Sequence, residues 1–498
     1  MAYFLRCKNL DFSTGNQPVA MFNEEEADNY GIHPGDRVSL LWSKSKKIIA
    51  SVDVSNKHVK SGEIGLFEEI WQKHKVELGD IVEVSLESRP LSVETIKKKM
   101  LGKPATYAEI YALIEDISEN RLSEVMTTYY AASGFVKEFS EQELYYVAKA
   151  MAETGEQFNL TTKVVDKHSV GGLAGNRITP IIVSIIASLG IYIPKTSSRA
   201  ITSPAGTADT MEVLCPVSFE MDAIKQIVKK TKACLVWGGG VKMAPADDHI
   251  IKVSRPLALE SYDKMIVSIM AKKVAMGVDC LIVDVPVGLS CKVPTMKDAK
   301  IIEEKFKRLG RRFGMKVEIM AIKATEPVGE GVGPALEARD LLRVVQQHKF
   351  RPIDLENKGC KLAGRLLEMK GYCKKGKGFE IAKKQIISGA AWKKLNEIII
   401  AQGGKKDWNS EEVMQEYQRY EIHAKKSGRV KFIDNKAINE VCMNLGAPID
   451  KYAGMHIHAR YGTKVKKGDK LFTMYASSEE RLKLGILGAG RNIIFHIG

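Results

Sequence analysis

Between Lys167 and Leu214 two turns rich in glycine, serine and threonine, KHSVGGLAGN and SSRAITSPAGT, bracket one uncharged apolar run from Ile178 to Pro194. An apolar run of this length, interrupted by Pro180 and Gly190, is too short and too broken for a membrane span and reads as a buried helix followed by a buried strand. A helix and strand of that kind, flanked by glycine turns, form a unit of an α/β domain, where ligands meet the loops at the carboxyl ends of strands. Such turns offer backbone N–H groups and hydroxyls, and a helix that begins at one adds its N-terminal partial charge. The pair therefore predicts an anion-binding core with room for more than one phosphate. Neither GxxxxGK[ST] nor GxGxxG occurs, which disfavours an ordinary nucleotide hydrolase or dehydrogenase.

Within the first turn, Lys167, His168 and Ser169 stand just before Gly171 and Gly172. A cation, a proton donor or acceptor and a hydroxyl are thus set beside backbone that only glycine lets a ligand approach closely.

The 498 residues, 45% apolar and 27% charged, are too many for one ordinary core and too apolar for disorder. Residues 1–88 contain an internal echo, HPGDRVSL at 33–40 and ELGDIVEV at 77–84, each a Gly-Asp turn leading into alternating strand residues. With little helical periodicity between the echoes, this segment reads as a small barrel of two similar halves and resembles the double-psi barrel. Thr106-x-x-Glu109 and Ser140-x-x-Glu143 have the form of capping boxes opening amphipathic helices. Their apolar stripes are Ile110, Leu113, Ile114 and Ile117, and Leu144, Val147, Ala148 and Met151. From about Val164, short apolar strands alternate with helices, among them Ile191 to Pro194, Leu281 to Val285 and Val317 to Ile322. From about Tyr420 the texture is β-rich.

The expected fold class is α/β. A small N-terminal β-barrel-like domain spans 1–88 and a helical domain spans 89–163, with a returning part near 248–276. A large α/β phosphate- and nucleotide-binding domain with a mainly parallel sheet covers 164–345. Residues 346–498 form the C-terminal part of that domain and end in a β-rich, barrel-sandwich-like and hammerhead-like region.

A net charge of +15 invites a nucleic-acid or scaffold reading, because lysine and arginine release counterions from polyphosphates. The densest block, Lys361 to Lys384, holds eight basic and two acidic residues but lacks interleaved aromatics and any common binding motif. Its pattern is that of a solvated lysine-rich face, and the positive field suits small anionic substrates better than nucleic acid. The eight cysteines contain no C-x-x-C pair, which points to neither a disulfide framework nor a zinc ribbon and fits a reducing cytoplasm. No metal or cofactor is implied, Asp247-Asp248 being too small a cluster to claim one.

Over about residues 89–498 the chain resembles the thymidine phosphorylase/AMP phosphorylase family, the type II nucleoside phosphorylases. KHSVGG at 167–172 is similar to the family's KHS-x-GG phosphate loop, SSRAITSPAGTADTMEVL at 197–214 to its second loop, and SIMAKKVAMG at 268–277 and GVGPALEARD at 331–340 follow in the expected order. The second loop, the extra N-terminal domain and APADD at 244–248 resemble the AMP-type branch rather than the pyrimidine nucleoside branch, whose loop reads SGRGLGHTGGT.

The resemblance implies phosphorolysis of a nucleoside 5′-monophosphate: AMP and phosphate to adenine and ribose 1,5-bisphosphate, with CMP and UMP as further substrates. It places Lys167, Ser169, Thr179 and Ser197 at the phosphate and His168 beside the sugar. Gly172, Ser198, Arg199, Ala200, Ile201, Thr202, Ser203 and Thr207 then contact the nucleotide. Ser268 and Lys292 correspond to base- or nucleotide-contacting positions, and Lys272 to a pyrimidine-site lysine. The family's acid lies in RPLS-[IL]-D-P, whereas this chain reads RPLALES at 255–261. Glu260 therefore takes the proton-donor position, one methylene longer, with Asp263 as the fallback. A homodimer or larger homo-oligomer acting on small molecules in the cytoplasm is implied as well. The alternatives are a pyrimidine nucleoside phosphorylase, a phosphoribosyltransferase of similar fold, and a nucleic-acid-binding or scaffold protein.

Overall fold

A computed structural model describes the chain except residues 1, 15–17, 43–46, 75, 87–89, 137, 159, 161, 201, 202, 255, 257–260 and 416. It forms two compact units, Met1–Val136 with His249–Leu257, and Lys137–Asp248 with Ala258–Gly498. The helical segment expected over 89–163 is divided between them.

In the first unit a strand–helix–strand segment, Val19–Phe22, Glu24–Tyr30 and Arg37–Leu41, is repeated 44 residues later as Glu63–Leu66, Glu68–His74 and Ile81–Leu86. Strands Ala2–Asn9 and Ile48–Val54 complete a closed six-stranded barrel. The two halves are matched in pairing: Ala2–Asn9 runs parallel to Glu63–Leu66, and Val19–Phe22 runs parallel to Ile48–Val54. The two strands that carry the Gly-Asp echo lie antiparallel, with Leu40 opposite Val84, and their alternation sends Val38, Leu40, Val82 and Val84 into the barrel core. The helices of seven residues were not foreseen, because two turns are too few for a 3.6-residue period to register. Beyond the barrel, both halves of the Thr106–Glu109 capping box are made at the start of helix Tyr107–Ser118, which buries Ile110, Leu113, Ile114 and Ile117.

The second unit is organised by parallel strands. Val278–Val287 lies between Lys316–Lys323 and Val164–Ser169, and a parallel bridge from Val164 to Tyr192 continues to the pair Ile193–Ser197 and Ala233–Trp237. The near-continuous apolar run of Val278–Val287 is what a strand covered on both faces requires. Helix Ile178–Ser188 is buried along ten of its eleven residues and is apolar on every side, so it lies inside the domain. It packs against helices Ile353–Lys370 and Ala390–Ala401. The basic block from Lys361 to Lys384 falls on Ile353–Lys370 and Gly378–Ile387, whose inner faces bury Leu362, Leu366, Ala382 and Ile386.

Ser140 and Glu143 cap helix Glu141–Glu153, which packs on helix Tyr262–Ala275 in this same unit. The β-rich end begins at strand Gln418–His423. It forms a three-stranded sheet and three strands of a four-stranded one whose edge strand is Gly331–Val332, with helices Asn435–Leu445 and Glu479–Arg491 inserted. Among the described residues no helix is long and apolar enough to cross a membrane.

The helix between the two glycine-rich turns is thus a packing element as well as a loop anchor. Ile182→Ala, at a site with no solvent exposure, is expected to destabilise the second unit by about 2–5 kcal/mol, measured by denaturant unfolding.

Candidate active site

Strand Val164–Ser169 delivers Lys167, His168 and Ser169 to its carboxyl end. The loop that follows turns on Gly171 and Gly172, with φ of 90° and 86°. A Cβ at Gly172 would stand 2.8 Å from the Lys292 backbone nitrogen, so this loop and the loop after Val278–Val287 touch through bare backbone. The chain then enters helix Ile178–Ser188, whose first turn carries Thr179.

Lys167, 1% exposed, reaches that turn and donates to Thr179 Oγ1 at 3.1 Å. Burial drives its pKa down to about 7, Asp284 opposes the shift, and Lys358 and Arg177 add to it. An oxyanion arriving here would restore the charge that burial removes. Ser169 Oγ donates to Asp284 Oδ2 at 3.1 Å, where Asn176 Nδ2 also donates, and Lys358 Nζ pairs with Asp284 at 3.1 Å and donates to Asn176 at 2.9 Å. Asp284 is fully buried, and its neighbours outweigh desolvation to hold its carboxyl below the usual range. Sequence reasoning missed Asp284, Asn176 and Lys358. A lone aspartate in an apolar strand was the one signal, since a charge there needs a buried partner.

Behind the loop a second ionic cluster is shut away from water. Asp166 pairs with Lys273 at 2.5 Å and with Lys195 at 3.4 Å, all three being 4% exposed or less. Burial lowers Lys195 to about 7 against the pull of Asp166. The imidazole of His168 lies in the field of these cations: burial first, then Lys273, Lys195, Lys167 and Lys272, push its pKa well below the ordinary histidine value. His168 is therefore a neutral ring at physiological pH.

The second loop follows strand Ile193–Ser197, linked to the first by the Val164–Tyr192 bridge. Ser197 Oγ is buried without a hydrogen-bond partner among the described residues, as is Ser290 Oγ in the loop that approaches Gly172. The rest of the second loop is less open to a ligand than its composition suggests. Asp209 Oδ2 accepts the Ala200 and Gly206 N–H groups, both at 2.7 Å. The Arg199 fork is taken by Glu212 at 2.6 Å on each nitrogen, and its guanidinium lies 5.0 Å above the Trp237 ring. Ser203 donates to Ala205 O, and Thr207 accepts from Arg177 at 2.8 Å, while Arg177 also pairs with buried Glu337. Ser198 is exposed. Ile201 and Thr202 lie outside the described residues.

Helix Tyr262–Ala275 carries the remaining candidates. Ser268 Oγ and Lys272 Nζ both donate to Asp247 Oδ2, at 2.7 and 2.6 Å. Lys292 is exposed in the loop whose backbone faces Gly172. Glu260 lies outside the described residues. The carboxylate of Asp263, the fallback donor, is 3% exposed and accepts from Lys305 Nζ at 2.6 Å and from the Phe139 N–H at 3.3 Å. Among the described residues no group of histidine, cysteine and carboxylate side chains is arranged to hold a metal.

Comparison with known proteins meets this geometry at the same segments. Residues 161–391 match the model described as the glycosyl transferase family a/b domain, and residues 93–155 match the helical bundle domain of that family. Residues 429–487 match the pyrimidine nucleoside phosphorylase C-terminal domain. Over about three-fifths of the chain the fold is that of anthranilate phosphoribosyltransferase. The enzyme from Thermus thermophilus superposes with a TM-score of 0.51 at 17% identity over 62% of this chain and 99% of its own. That from Saccharomyces cerevisiae gives 0.51 at 13% identity over 63% and 98%. These domains define an enzyme of the pentosyltransferase class. An AMP phosphorylase of Pyrococcus furiosus is 41% identical over 487 residues, covering 98% of this chain and 96% of the relative. That of Thermofilum pendens is 41% identical over 480 residues, covering 96% and 92%. The chain belongs to the AMP phosphorylase family.

The state of Lys167 predicts a pH dependence for an oxyanion bound beside it. The pKa is about 7 in the free site and higher with an anion bound, so binding above that pH takes up a proton and weakens as pH rises. Between about pH 8 and 9 the KM for phosphate is expected to climb by up to about tenfold, read from initial rates at saturating nucleotide. Gly172→Ala, which puts a methyl group into the Lys292 backbone at a positive φ, is expected to raise the same KM at every pH.

Proposed function

We propose that the protein catalyses phosphorolysis of nucleoside 5′-monophosphates, AMP and phosphate to adenine and ribose 1,5-bisphosphate, with CMP and UMP as further substrates. The observation that carries this reading is the pair of loops on neighbouring parallel strands. One holds a buried, partly discharged lysine beside Thr179; the other has the AMP-type sequence and a buried, unpartnered Ser197 hydroxyl. Two such loops serve two oxyanions, the free phosphate at the first loop together with Ser197, and the substrate's 5′-phosphate along the rest of the second loop.

In this reading a phosphate oxygen forms a bond to C1′ as the C1′–N9 bond breaks and its electron pair passes to the purine. Lys167, Ser169, Thr179 and Ser197 hold the nucleophile, so that the enzyme supplies position before it supplies chemistry. Ser169 takes part by turning its proton from Asp284 to the phosphate, and the Lys358 ammonium then keeps Asp284 compensated. Ser198, Arg199, Ala200, Ile201, Thr202, Ser203 and Thr207, with Gly172 giving close approach, surround the nucleotide. Positive charge grows on the ribose ring in the transition state. A neutral His168 beside the sugar can hydrogen-bond without opposing that charge, as an imidazolium would. Glu260 protonates the departing base, and Lys292 and Ser268 contact the nucleotide. The protein acts in the cytoplasm as a homodimer or larger homo-oligomer, and its positive charge draws small anions rather than nucleic acid.

Phosphate-dependent release of adenine from AMP tests the assignment. No adenine from AMP, with thymidine or uridine cleaved instead, would replace it with a pyrimidine nucleoside phosphorylase. Glu260→Gln is expected to lower kcat by about 10²–10⁴ while nucleotide binding, measured calorimetrically, changes little.

A further inference from the structure

Arg177 and the segment GVGPALEARD at 331–340 have no part in the scheme above, yet they meet each other between the two glycine-rich loops. Arg177 stands at the start of helix Ile178–Ser188, two residues before the Thr179 that Lys167 reaches. Its side chain, 12% exposed, leaves the first loop and runs to the second. Nη1 donates to Thr207 Oγ1 at 2.8 Å, and Nη2 donates to the Ala205 carbonyl at 2.9 Å. On the other edge of the guanidinium, Nε and Nη2 are both 2.6 Å from Glu337 Oε2. Glu337, the glutamate of ALEARD, is 2% exposed, and its second oxygen accepts the Gly333 N–H at 3.2 Å. A guanidinium presents its donors in one planar fork, so a carboxylate that fixes one edge aims the other.

What the fork holds is a braced piece of the second loop. Asp209 ties the Ala200 and Gly206 N–H groups together, and a Cβ at Gly206 would stand 2.5 Å from the Ser198 carbonyl oxygen. The turn at 203–207 is thus packed on residues 198–200, and Ser203 gives its proton to the same Ala205 carbonyl that Arg177 binds. Thr207 is placed differently. A threonine hydroxyl has one proton and two lone pairs; Arg177 occupies a lone pair, and among the described residues the proton meets no acceptor. The partly buried hydroxyl is left as a donor, beside a guanidinium whose charge also reaches Lys167 in the first loop.

We propose that Arg177 is a positioning residue: clamped by Glu337, it docks the second loop on the end of the first and holds Thr207 as a hydrogen-bond donor to a substrate oxyanion. This rests on the nucleotide phosphorylase reading, in which that oxyanion is the 5′-phosphate or the free phosphate. The role falls to Arg177 because Arg199, the arginine within the second loop, has its fork turned to Glu212. Without Arg177 the Thr207 hydroxyl loses its fixed direction, and the 203–207 turn loses its tie to the first loop.

The test is a double-mutant cycle on adenine release by the full chain, with KM for AMP taken at saturating phosphate and KM for phosphate at saturating AMP. Arg177→Met is expected to raise one of the two by about tenfold or more while kcat changes by less than about threefold, as for a lost hydrogen bond to a charged group. A rise in the KM for AMP assigns Thr207 to the 5′-phosphate, and a rise in the KM for phosphate assigns it to the nucleophile. Thr207→Val is expected to raise the same KM, and adding Arg177→Met to it raises that KM by no more than about a further twofold. If Arg177→Met does not fold because it strands the buried Glu337 carboxylate, Arg177→Met with Glu337→Leu removes both charges together and takes its place in the cycle. Increases that multiply, or an Arg177→Met variant with neither KM moved, would overturn the positioning role and leave phosphorolysis standing. No adenine from AMP with the unaltered protein would overturn the nucleotide reading and this role with it.

Discussion

Four lysines and two aspartates are enclosed at the carboxyl ends of the central parallel strands. Lys195 and Lys273 gather on Asp166, and Lys167 and Lys358 lie in the field of Asp284. Enclosing charge is costly, and two carboxylates cannot fully compensate four ammonium groups. The protein meets this partly by letting Lys167 and Lys195 fall to about 7. The positive charge that remains beside the first loop favours an anion there. Burial first, and then the same field, hold the His168 pKa well below the ordinary histidine value.

Helix Tyr262–Ala275 belongs to the same electrostatic system. Tyr262–Ala275 sends Lys273 into the Asp166 cluster and Lys272, one residue earlier, to Asp247. Adjacent residues on a helix point about 100° apart, so one lysine serves the buried strand and the other serves a different carboxylate.

Much of the fold was legible because it is written in short-range patterns. The Gly-Asp echo gave the two halves of the barrel, the capping boxes gave helix starts at Thr106 and Ser140, and the apolar run gave the helix and strand between the phosphate loops. The 24–30 and 68–74 helices escaped because they are only seven residues long. At the candidate site, the motif pointed to Lys167, Ser169 and Thr179; the fold sets Lys167 against Thr179 and Ser169 against Asp284. It did not identify Asn176 or Lys358, whose bonds join residues 108 and 182 positions apart. Nor did it show that Asp263 is tied to Lys305, or that Asp209 and Glu212 occupy donors of the second loop.

By itself the sequence determined which chemical groups stand at each loop and where the chain turns, because motif, glycine placement and apolar period are local properties of neighbouring residues. The tertiary structure alone decided which of those charges lose water together and which proton each hydroxyl keeps. Desolvation and hydrogen-bond direction depend on partners from distant strands and helices. An aspartate in a strand, a lysine on a helix and an aspartate beside another read alike as ordinary charges until packing pairs Lys358 with Asp284 and sets Ser268 and Lys272 against Asp247.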